Sequence, residues 1–386
     1  MKNSEGWDGK LRVEPKAVIT NPEALEDSDY SDPEAPPVEE IDADEDLLAD
    51  EDVNVEDIDL VHCRVSSLTA LRLERYHPLS TLRRVCFEEE DARIHVLLER
   101  VGSFVIDKPR ICRNSKLTSR FLQRLCLRQN QITRINFPTE LAETLTELDL
   151  YDNLISHVKG LDEFHNLTSL DLSFNKIKHI KNVEHLKKLT DIYFVQNKIS
   201  RIEGLEGLEK LRNLELGANR IREIENLDTL AALEELWLGK NKITEMKNLD
   251  ALSNLRIISI QSNRLTNITG LSNLPNLEEL YLSHNAITDL SGLESTTTLR
   301  VLDFSNNQVS HLEHLGTLKN LEELWASNNQ LTSFDEVERE LKDKEKLETV
   351  YFEGNPLQMN GPAVYRNKVR LALPQIKQID ATYVRV

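Results

Sequence analysis

Residues 211–241, LRNLELGANRIREIENLDTLAALEELWLGKN, contain one pattern twice. Leu211, Leu214, Leu216 and Asn219 form L-x-x-L-x-L-x-x-N, and four equivalent residues follow 22 positions later. The asparagine recurs through eight consecutive steps of 22 residues, at positions 153, 175, 197, 219, 241, 263, 285, 307 and 329. A fixed period of this length indicates an array of structural repeats.

The spacing of apolar residues predicts the shape of each repeat. Leu214 and Leu216 alternate around Glu215, which predicts a short strand with its leucines turned inward. The next apolar residues are close to a helical spacing, at Ile221, Ile224, Leu227 and Leu230. One repeat cannot bury these residues alone, so the repeats must stack. We predict an α/β solenoid, a right-handed leucine-rich-repeat superhelix with 22-residue repeats, a parallel concave sheet and short convex helices. The asparagines are predicted to bond backbone groups of their own and adjacent turns.

The net charge of −19 comes from one segment. Between Glu23 and Asp59 there are 18 acidic residues and no Lys or Arg, so the rest of the chain carries 48 acids and 47 bases. Residues 1–49, rich in Asp, Glu and Pro, are predicted to be a disordered acidic tail because they lack apolar residues for a core. The balanced charge elsewhere does not indicate a nucleic-acid-binding surface.

The repeats divide the remaining chain. Residues 50–76 are predicted to form an N-terminal cap and first repeat, in which Cys63 replaces the asparagine. Residues 122–355 hold the regular repeats, and residues 356–386 are predicted to form a C-terminal cap. From Cys63 to Asn130 is 67 positions, 45 more than one repeat, and residues 77–121 are this excess and show no repeat of their own. They are expected to be an inserted non-repeat segment, either a functional loop, a disordered excursion or a retained intron in the gene model.

The middle residue of each L-x-L points away from the core, onto the concave side of the sheet. Five of the eleven middle residues are Tyr or Trp, although aromatic residues are only 5% of the chain. They alternate with carboxylates: Cys126, Asp149, Asp171, Tyr193, Glu215, Trp237, Ser259, Tyr281, Asp303, Trp325 and Tyr351. Aromatic side chains also favour strands and can stack on one another. Their enrichment at binding hot spots favours an interaction surface, and the acids predict a partner with a basic surface.

The sequence shows no motif for catalysis, metal binding or membrane insertion. There is no GxGxxG, P-loop or CxxC pair, and the ten histidines do not have metal-ligand spacing. We expect no cofactor, no metal and no enzymatic activity. No apolar run approaches a membrane span, and residues 1–10 have no apolar core of the signal-peptide type. We therefore expect a protein of the cytosol or nucleus without membrane or nucleic-acid partners.

Several stretches resemble one family in particular. These are LDLYDN (148–153), LGKNKIT (238–244), LYLSHN (280–285) and the ending LALPQIKQIDATYVRV (371–386), together with I-x-x-I-E-x-L turns such as that at Ile224. They are similar to the nuclear leucine-rich-repeat regulatory subunit of protein phosphatase 1. The resemblance covers about residues 50–76 and 122–386.

That resemblance implies a non-catalytic subunit that binds the phosphatase catalytic subunit with its concave face. It implies control of phosphatase maturation or activity in mitosis and chromosome segregation, a third, inhibitory partner, a monomer when free, and a location in the nucleus and cytoplasm. The family's contact positions correspond to Asp171, Tyr193, Glu215, Trp237, Asp303, Glu323, Trp325 and Tyr351. Tyr193 and Trp237 depart from the family, which often has Phe there. The alternative is an acidic leucine-rich-repeat nuclear scaffold that binds basic proteins such as histones through its acidic tail.

Overall fold

The computed structural model describes residues 57–60, 84–87, 123–130, 132–135, 137 and 139–384, all within a compact unit of residues 46–386. They form one 15-stranded sheet with its strands in chain order. Strands β1 to β14 pair in parallel, and β15 turns back against β14. The strands are Asp57–Leu60 (β1), Arg84–Phe87 (β2), Arg124–Cys126 (β3), Glu147–Asp149 (β4), Ser169–Asp171 (β5), Asp191–Tyr193 (β6), Asn213–Glu215 (β7), Glu235–Trp237 (β8), Ile257–Ser259 (β9), Glu279–Tyr281 (β10), Val301–Asp303 (β11), Glu323–Trp325 (β12), Thr349–Tyr351 (β13), Gln378–Ile379 (β14) and Thr382–Tyr383 (β15). The predicted solenoid of parallel strands at 22-residue spacing is confirmed.

The core is a continuous column of leucine and isoleucine. In the repeat that contains β7, Leu214, Leu216, Ile221 and Ile224 are fully buried, and equivalent residues of the other repeats join them in one cluster. Each buried side chain contributes about 1.5–3 kcal/mol relative to leaving it in water. Since the contacts of each repeat are with its neighbours, the stability of the sheet depends on stacking.

The asparagines bond the backbone of consecutive turns, as predicted. Asn219 donates from Nδ2 to the carbonyl oxygens of Phe194 (2.8 Å) and Leu216 (3.0 Å). Its Oδ1 accepts from the backbone N–H of Ile199 (3.0 Å). The same three bonds recur at Asn153, Asn175, Asn197 and Asn241. Backbone groups that the turn leaves without partners are thereby satisfied inside the core.

On the side of the solenoid opposite the sheet, most of the described repeats have turns where the sequence predicted short helices. There the chain makes successive tight turns, such as those closed by Leu208 N–H to the Leu205 carbonyl (3.2 Å) and Leu211 N–H to the Leu208 carbonyl (3.0 Å). Helices appear where a repeat is longer: a 3-10 helix, Thr139–Glu143, in the 23-residue step, and helix α1, Phe334–Leu341, in the 26-residue step. Twenty-two residues span the turn without room for a full α-helix.

The segment of residues 77–121, predicted to lack a repeat, contains strand β2. This strand pairs in parallel with β1 on one side and β3 on the other. Residues 84–87 therefore belong to the sheet, and the interpretation of residues 77–121 as an inserted segment stays a prediction. The sequence is consistent with a strand here, because Val85 and Phe87 have the two-residue spacing of apolar residues found in the other strands. The rest of the segment, the acidic tail and Cys63 lie outside the described residues.

The C-terminal end of the sheet is covered by helices α2, Pro356–Met359, and α3, Pro362–Ala372, followed by the β14–β15 hairpin. Buried Asp380 accepts from the backbone N–H of Phe352 (2.9 Å) and from the hydroxyl of Tyr365 (2.9 Å). Burial and the neighbouring Asp380 carboxylate raise the pKa of Tyr365. Asp380 thus supplies the acceptor that the carbonyl of the next strand supplies in earlier repeats, where for example the Leu216 N–H donates to the Trp237 carbonyl (2.8 Å). None of the described helices is long and apolar enough to cross a membrane.

Candidate functional site

The candidate site is the sheet face, which we define as the first and third residues of strands β3 to β13. The middle residue of each strand is buried and its neighbours are mostly half-buried, because side chains alternate along a strand. The third residues lie in register from strand to strand. All eight predicted contact residues lie on this face: Asp171, Tyr193, Glu215, Trp237, Asp303, Trp325 and Tyr351 as third residues, and Glu323 as a first residue.

The predicted residues form two groups along the sheet. Asp171, Tyr193, Glu215 and Trp237 occupy four consecutive strands, β5 to β8. Asp303, Trp325 and Tyr351 occupy β11 to β13, with Glu323 beside them. Strands β9 and β10, which carry Ser259 and Tyr281, separate the two groups.

The sheet face is strongly acidic. Among the first and third residues of β3 to β13, Arg124 is the only base, and nine are acids: Glu147, Asp149, Asp171, Asp191, Glu215, Glu235, Glu279, Asp303 and Glu323. At the β3 end, Arg124 forms a salt bridge with Glu147 (3.0 Å), and Arg128 with Asp149 (2.5 Å). Arg128 also lies 3.7 Å from Asp171. From β6 onward, none of the acids of the sheet face forms a salt bridge with another described residue, which favours a basic partner surface.

Three aromatic side chains are held by a carboxylate two residues earlier on the same strand. The indole Nε1 of Trp237 donates to Glu235 Oε2 (3.1 Å), and that of Trp325 donates to Glu323 Oε2 (3.0 Å). The hydroxyl of Tyr281 donates to Glu279 Oε2 (2.7 Å). These bonds fix the ring orientations before a partner binds, which lowers the entropic cost of association.

The second group is packed around a buried carboxylate. Asp303 is only 5% exposed, and its Oδ1 accepts from the backbone N–H of Ser305 (2.9 Å). The rings of Trp325 and Tyr351 lie 5.6 Å apart between centroids, tilted by 59°. Tyr351 is itself fixed because its hydroxyl accepts from Gln378 Nε2 (2.8 Å). The cluster is a rigid aromatic and acidic anchor of the kind that dominates protein interfaces.

In the first group, burial and neighbouring acids raise the pKa values of Tyr193 and Glu215. Burial, together with Asp191 and Glu215, raises the pKa of Tyr193 to about 12. Burial is also the main cause that raises the pKa of Glu215, with Asp171 and Glu235 adding to it. The Tyr193 hydroxyl therefore stays protonated at neutral pH and remains a hydrogen-bond donor for a partner.

We predict that Glu215→Gln stabilises the fold slightly at neutral pH. The pKa of Glu215 is higher in the folded chain than its ordinary value of 4.5. Folding therefore favours the protonated carboxyl, and this contribution is lost as the pH rises through the folded-state pKa. The neutral amide should add less than about 1 kcal/mol of unfolding free energy at pH 7 and nothing below about pH 4.

Urea unfolding of both proteins at the two pH values tests this, with Glu209→Gln, an exposed carboxylate, as the control. A Glu215→Gln protein that is less stable at neutral pH, or equally changed at both pH values, would contradict the assignment.

One surface cluster was absent from the sequence prediction. Phe174 is 39% exposed and has a left-handed backbone (φ 55°), and its ring lies 4.7 Å from that of Tyr151. The guanidinium of Arg128 lies 5.0 Å from the centre of the Tyr151 ring. Phe174 stands directly before the repeat asparagine, where the other 22-residue repeats have small or polar residues. That contrast is the signal by which the sequence could have identified it.

The part of the chain that the structure describes contains no candidate metal site, since no group of three or more His, Cys, Asp or Glu side chains could hold an ion there. The carboxylates of the sheet face lie along a ladder of strands and do not converge on one point.

Comparison with known proteins agrees with this architecture. A family model described as "Leucine Rich repeats (2 copies)" matches in four overlapping stretches across residues 231–339, and one described as "Leucine rich repeat" matches residues 165–221. A leucine-rich-repeat protein of Leptospira interrogans superposes with a TM-score of 0.57 at 23% identity, covering 84% of this chain and 96% of that one. The functional domain of InlJ from Listeria monocytogenes superposes with a TM-score of 0.54 at 23% identity, covering 69% and 54%. At these identities the likeness shows the fold alone.

Two curated relatives share short, closely similar stretches with the chain. Protein phosphatase 1 regulatory subunit SDS22 of Schizosaccharomyces pombe is 71% identical over 52 residues, which are 14% of this chain and 16% of the relative. Protein phosphatase 1 regulatory subunit 7 of Mus musculus is 63% identical over 46 residues, 12% of each. The matched stretch thus spans about a sixth of these relatives' length or less. The chain has a leucine-rich-repeat fold and is similar, over these short stretches, to curated regulatory subunits of protein phosphatase 1.

Proposed function

We propose that this chain is a non-catalytic regulatory subunit that binds the catalytic subunit of protein phosphatase 1 through its sheet face. The observation that carries the proposal is the 71% identity, over 52 residues, to a protein named as a regulatory subunit of that phosphatase. Support for a regulatory rather than catalytic role comes from the same names and from the repeat core, which is filled with leucine and isoleucine.

The sheet face supports the proposed binding surface. It presents half-buried Tyr193, Trp237, Trp325 and Tyr351 among carboxylates, and two of these rings are tied to glutamates. Tyr and Trp in such settings supply most of the binding energy of protein interfaces, and matched charge steers the encounter. We expect the phosphatase to present a basic surface with pockets that accept these aromatic rings.

The proposal extends to cellular role. A subunit of this kind would control maturation or activity of the phosphatase in mitosis and chromosome segregation, act in the nucleus and cytoplasm, and accept a third, inhibitory protein. The free chain would be a monomer without nucleic-acid or membrane partners. These points rest on the resemblance of the motifs at 148–153, 280–285 and 371–386 to the family.

We expect the full-length chain to bind the purified phosphatase catalytic subunit in a calorimetric titration, with affinity that falls as salt rises because opposite charges meet. The titration should use both metal-loaded and metal-free phosphatase. A folded chain that binds neither form would contradict the proposal.

A second candidate function follows from the acidic run between Glu23 and Asp59. An acidic repeat scaffold would use that run to bind basic proteins such as histones. Removal of residues 1–49 distinguishes the two functions. The shortened chain should bind the phosphatase as the full chain does, whereas a histone-binding scaffold would lose its partner.

A further inference from the structure

Two aromatic rings of the sheet face lie nearly parallel across an intervening strand. Trp237 on β8 and Tyr281 on β10 have ring centroids 6.4 Å apart and planes inclined by only 19°. Ser259 on β9 lies between them in register and is only 2% exposed. Strands are about 4.8 Å apart, so the two backbones are separated by about 9.6 Å and the rings lean toward each other above the serine.

Each ring is held beside a carboxylate. Glu235 accepts from the Trp237 indole N–H at 3.1 Å, and Glu279 accepts from the Tyr281 hydroxyl at 2.7 Å. Within the described part of the chain, neither glutamate forms a salt bridge, although Arg256 and Arg300 are nearby and pair with Glu278 and Glu322 instead. The two rings are therefore flanked by two carboxylates that form no salt bridge with a described residue, which favours a positively charged occupant.

The geometry points to a guanidinium clamp: we infer that Trp237 and Tyr281 receive an arginine side chain of the protein partner between their rings, with Glu235 and Glu279 as its counter-charges. A planar group in contact with a ring on each side needs about 7 Å between the rings. A small opening of the observed pair would provide it. A guanidinium is flat, stacks on aromatic faces and bonds carboxylates through several N–H groups, whereas an ammonium is compact and strongly hydrated.

Simple packing of aromatic side chains is the competing explanation, and the second aromatic pair shows how it differs. Trp325 and Tyr351 are on adjacent strands, tilted by 59° at 5.6 Å, so they pack on each other and cannot sandwich a flat group. Trp237 and Tyr281 are parallel, two strands apart, and cover a residue as small as serine. Gly239, two residues after Trp237, adds no side chain of its own there, and the nearest side chain is that of Gln261, 3.2 Å from where a Cβ of residue 239 would lie.

The first test uses N-acetyl-arginine amide and N-acetyl-lysine amide as probes on the full-length chain labelled with 5-fluorotryptophan. The chain has three tryptophans, at 7, 237 and 325, so each fluorine signal can be assigned by substitution. Arginine amide should shift the Trp237 signal saturably at millimolar concentration, lysine amide should not, and Trp325 serves as the internal reference. The clamp is refuted if Trp237 does not respond, or responds equally to both probes.

A matched pair of variants separates the ring from the hydroxyl of Tyr281. Tyr281→Phe keeps the parallel ring and should retain the response to arginine amide. Tyr281→Leu removes one wall and should abolish it. A response that survives in the leucine variant would show that arginine binds elsewhere.

The second test concerns the partner and rests on the proposed function. Tyr281→Leu should weaken binding of the phosphatase catalytic subunit about tenfold or more, while Tyr281→Phe stays within about threefold of the unaltered chain. Unchanged affinity in Tyr281→Leu would overturn the assignment of a partner arginine to the clamp. If the unaltered chain does not bind the phosphatase, the proposed function fails, and the probe experiment alone decides the clamp.

Discussion

Replacing both Glu323 and Trp325 by alanine is expected to weaken the binding of the phosphatase catalytic subunit at least about 100-fold. The Trp325 ring is half-buried on the sheet face, packs 5.6 Å from Tyr351 and is held by its bond to Glu323 Oε2. Its neighbour Asp303 is buried, so the ring and the carboxylates form one anchored cluster. Removing an anchored aromatic side chain from an interface centre typically costs about 2–4 kcal/mol.

Calorimetric titration of the double variant beside the unaltered chain measures this effect. Glu322→Ala is a suitable control because Glu322 is paired with Arg300 (2.8 Å) at the edge of the strands and lies outside the first and third positions that define the sheet face. Single variants Glu323→Ala and Trp325→Phe apportion the loss between the charge and the ring. Undiminished binding by a correctly folded double variant would place the contact away from this part of the sheet.

Most of the architecture was predictable because one residue type repeats at one spacing. The 22-residue asparagine period predicts the stacking, and the L-x-L alternation predicts which side chains are buried. The convex side was predicted less well. Helical spacing of Ile221, Ile224 and Leu227 suits tight turns as well as a helix, and the length of the connection decides between them. The four additional residues between Asn329 and Asn355 are what allow α1 to form.

The candidate site was predictable as a set of positions but not as an arrangement. Strand alternation places Tyr193 and Trp325 on one face, and the sequence alone indicates this. It does not indicate that Trp237 and Tyr281 approach each other across β9, because that depends on ring orientations set by Glu235 and Glu279. Tyr281 is one of the eleven middle residues of the L-x-L motifs, but it is not one of the eight predicted contact residues. Its role emerges only from contacts between residues 44 positions apart in the sequence.

Asn219→Ala is expected to lower the free energy of unfolding by about 3 kcal/mol or more. The side chain makes three bonds in the core: it donates to the carbonyls of Phe194 and Leu216, and it accepts from the Ile199 N–H. Alanine leaves the buried Ile199 N–H without an acceptor. The carbonyls of Phe194 and Leu216 each lose one of two amide donors, because Asn197 and Asn241 also donate to them (3.2 and 3.0 Å). The unsatisfied N–H costs about 1–3 kcal/mol and each lost hydrogen bond about 0.5–1.5 kcal/mol, and relaxation of the turn recovers part of the sum.

Asn254→Ala provides the matched control, because Asn254 also donates to a backbone carbonyl, that of Ala231 (2.8 Å), but at an exposed position. Solvent can replace that bond, so the control should change stability by less than about 0.5 kcal/mol. Urea unfolding followed by circular dichroism and by tryptophan fluorescence gives the free energies. Amide hydrogen exchange at Ile199 gives a local test, since its N–H loses its acceptor in Asn219→Ala and should exchange faster. Equal losses in the two variants would mean that the asparagine ladder stabilises the solenoid no more than a surface bond does. A difference of several kcal/mol in unfolding free energy between the two variants would instead show that the asparagine ladder is needed to keep the strands of the sheet face, and the rings on them, in register.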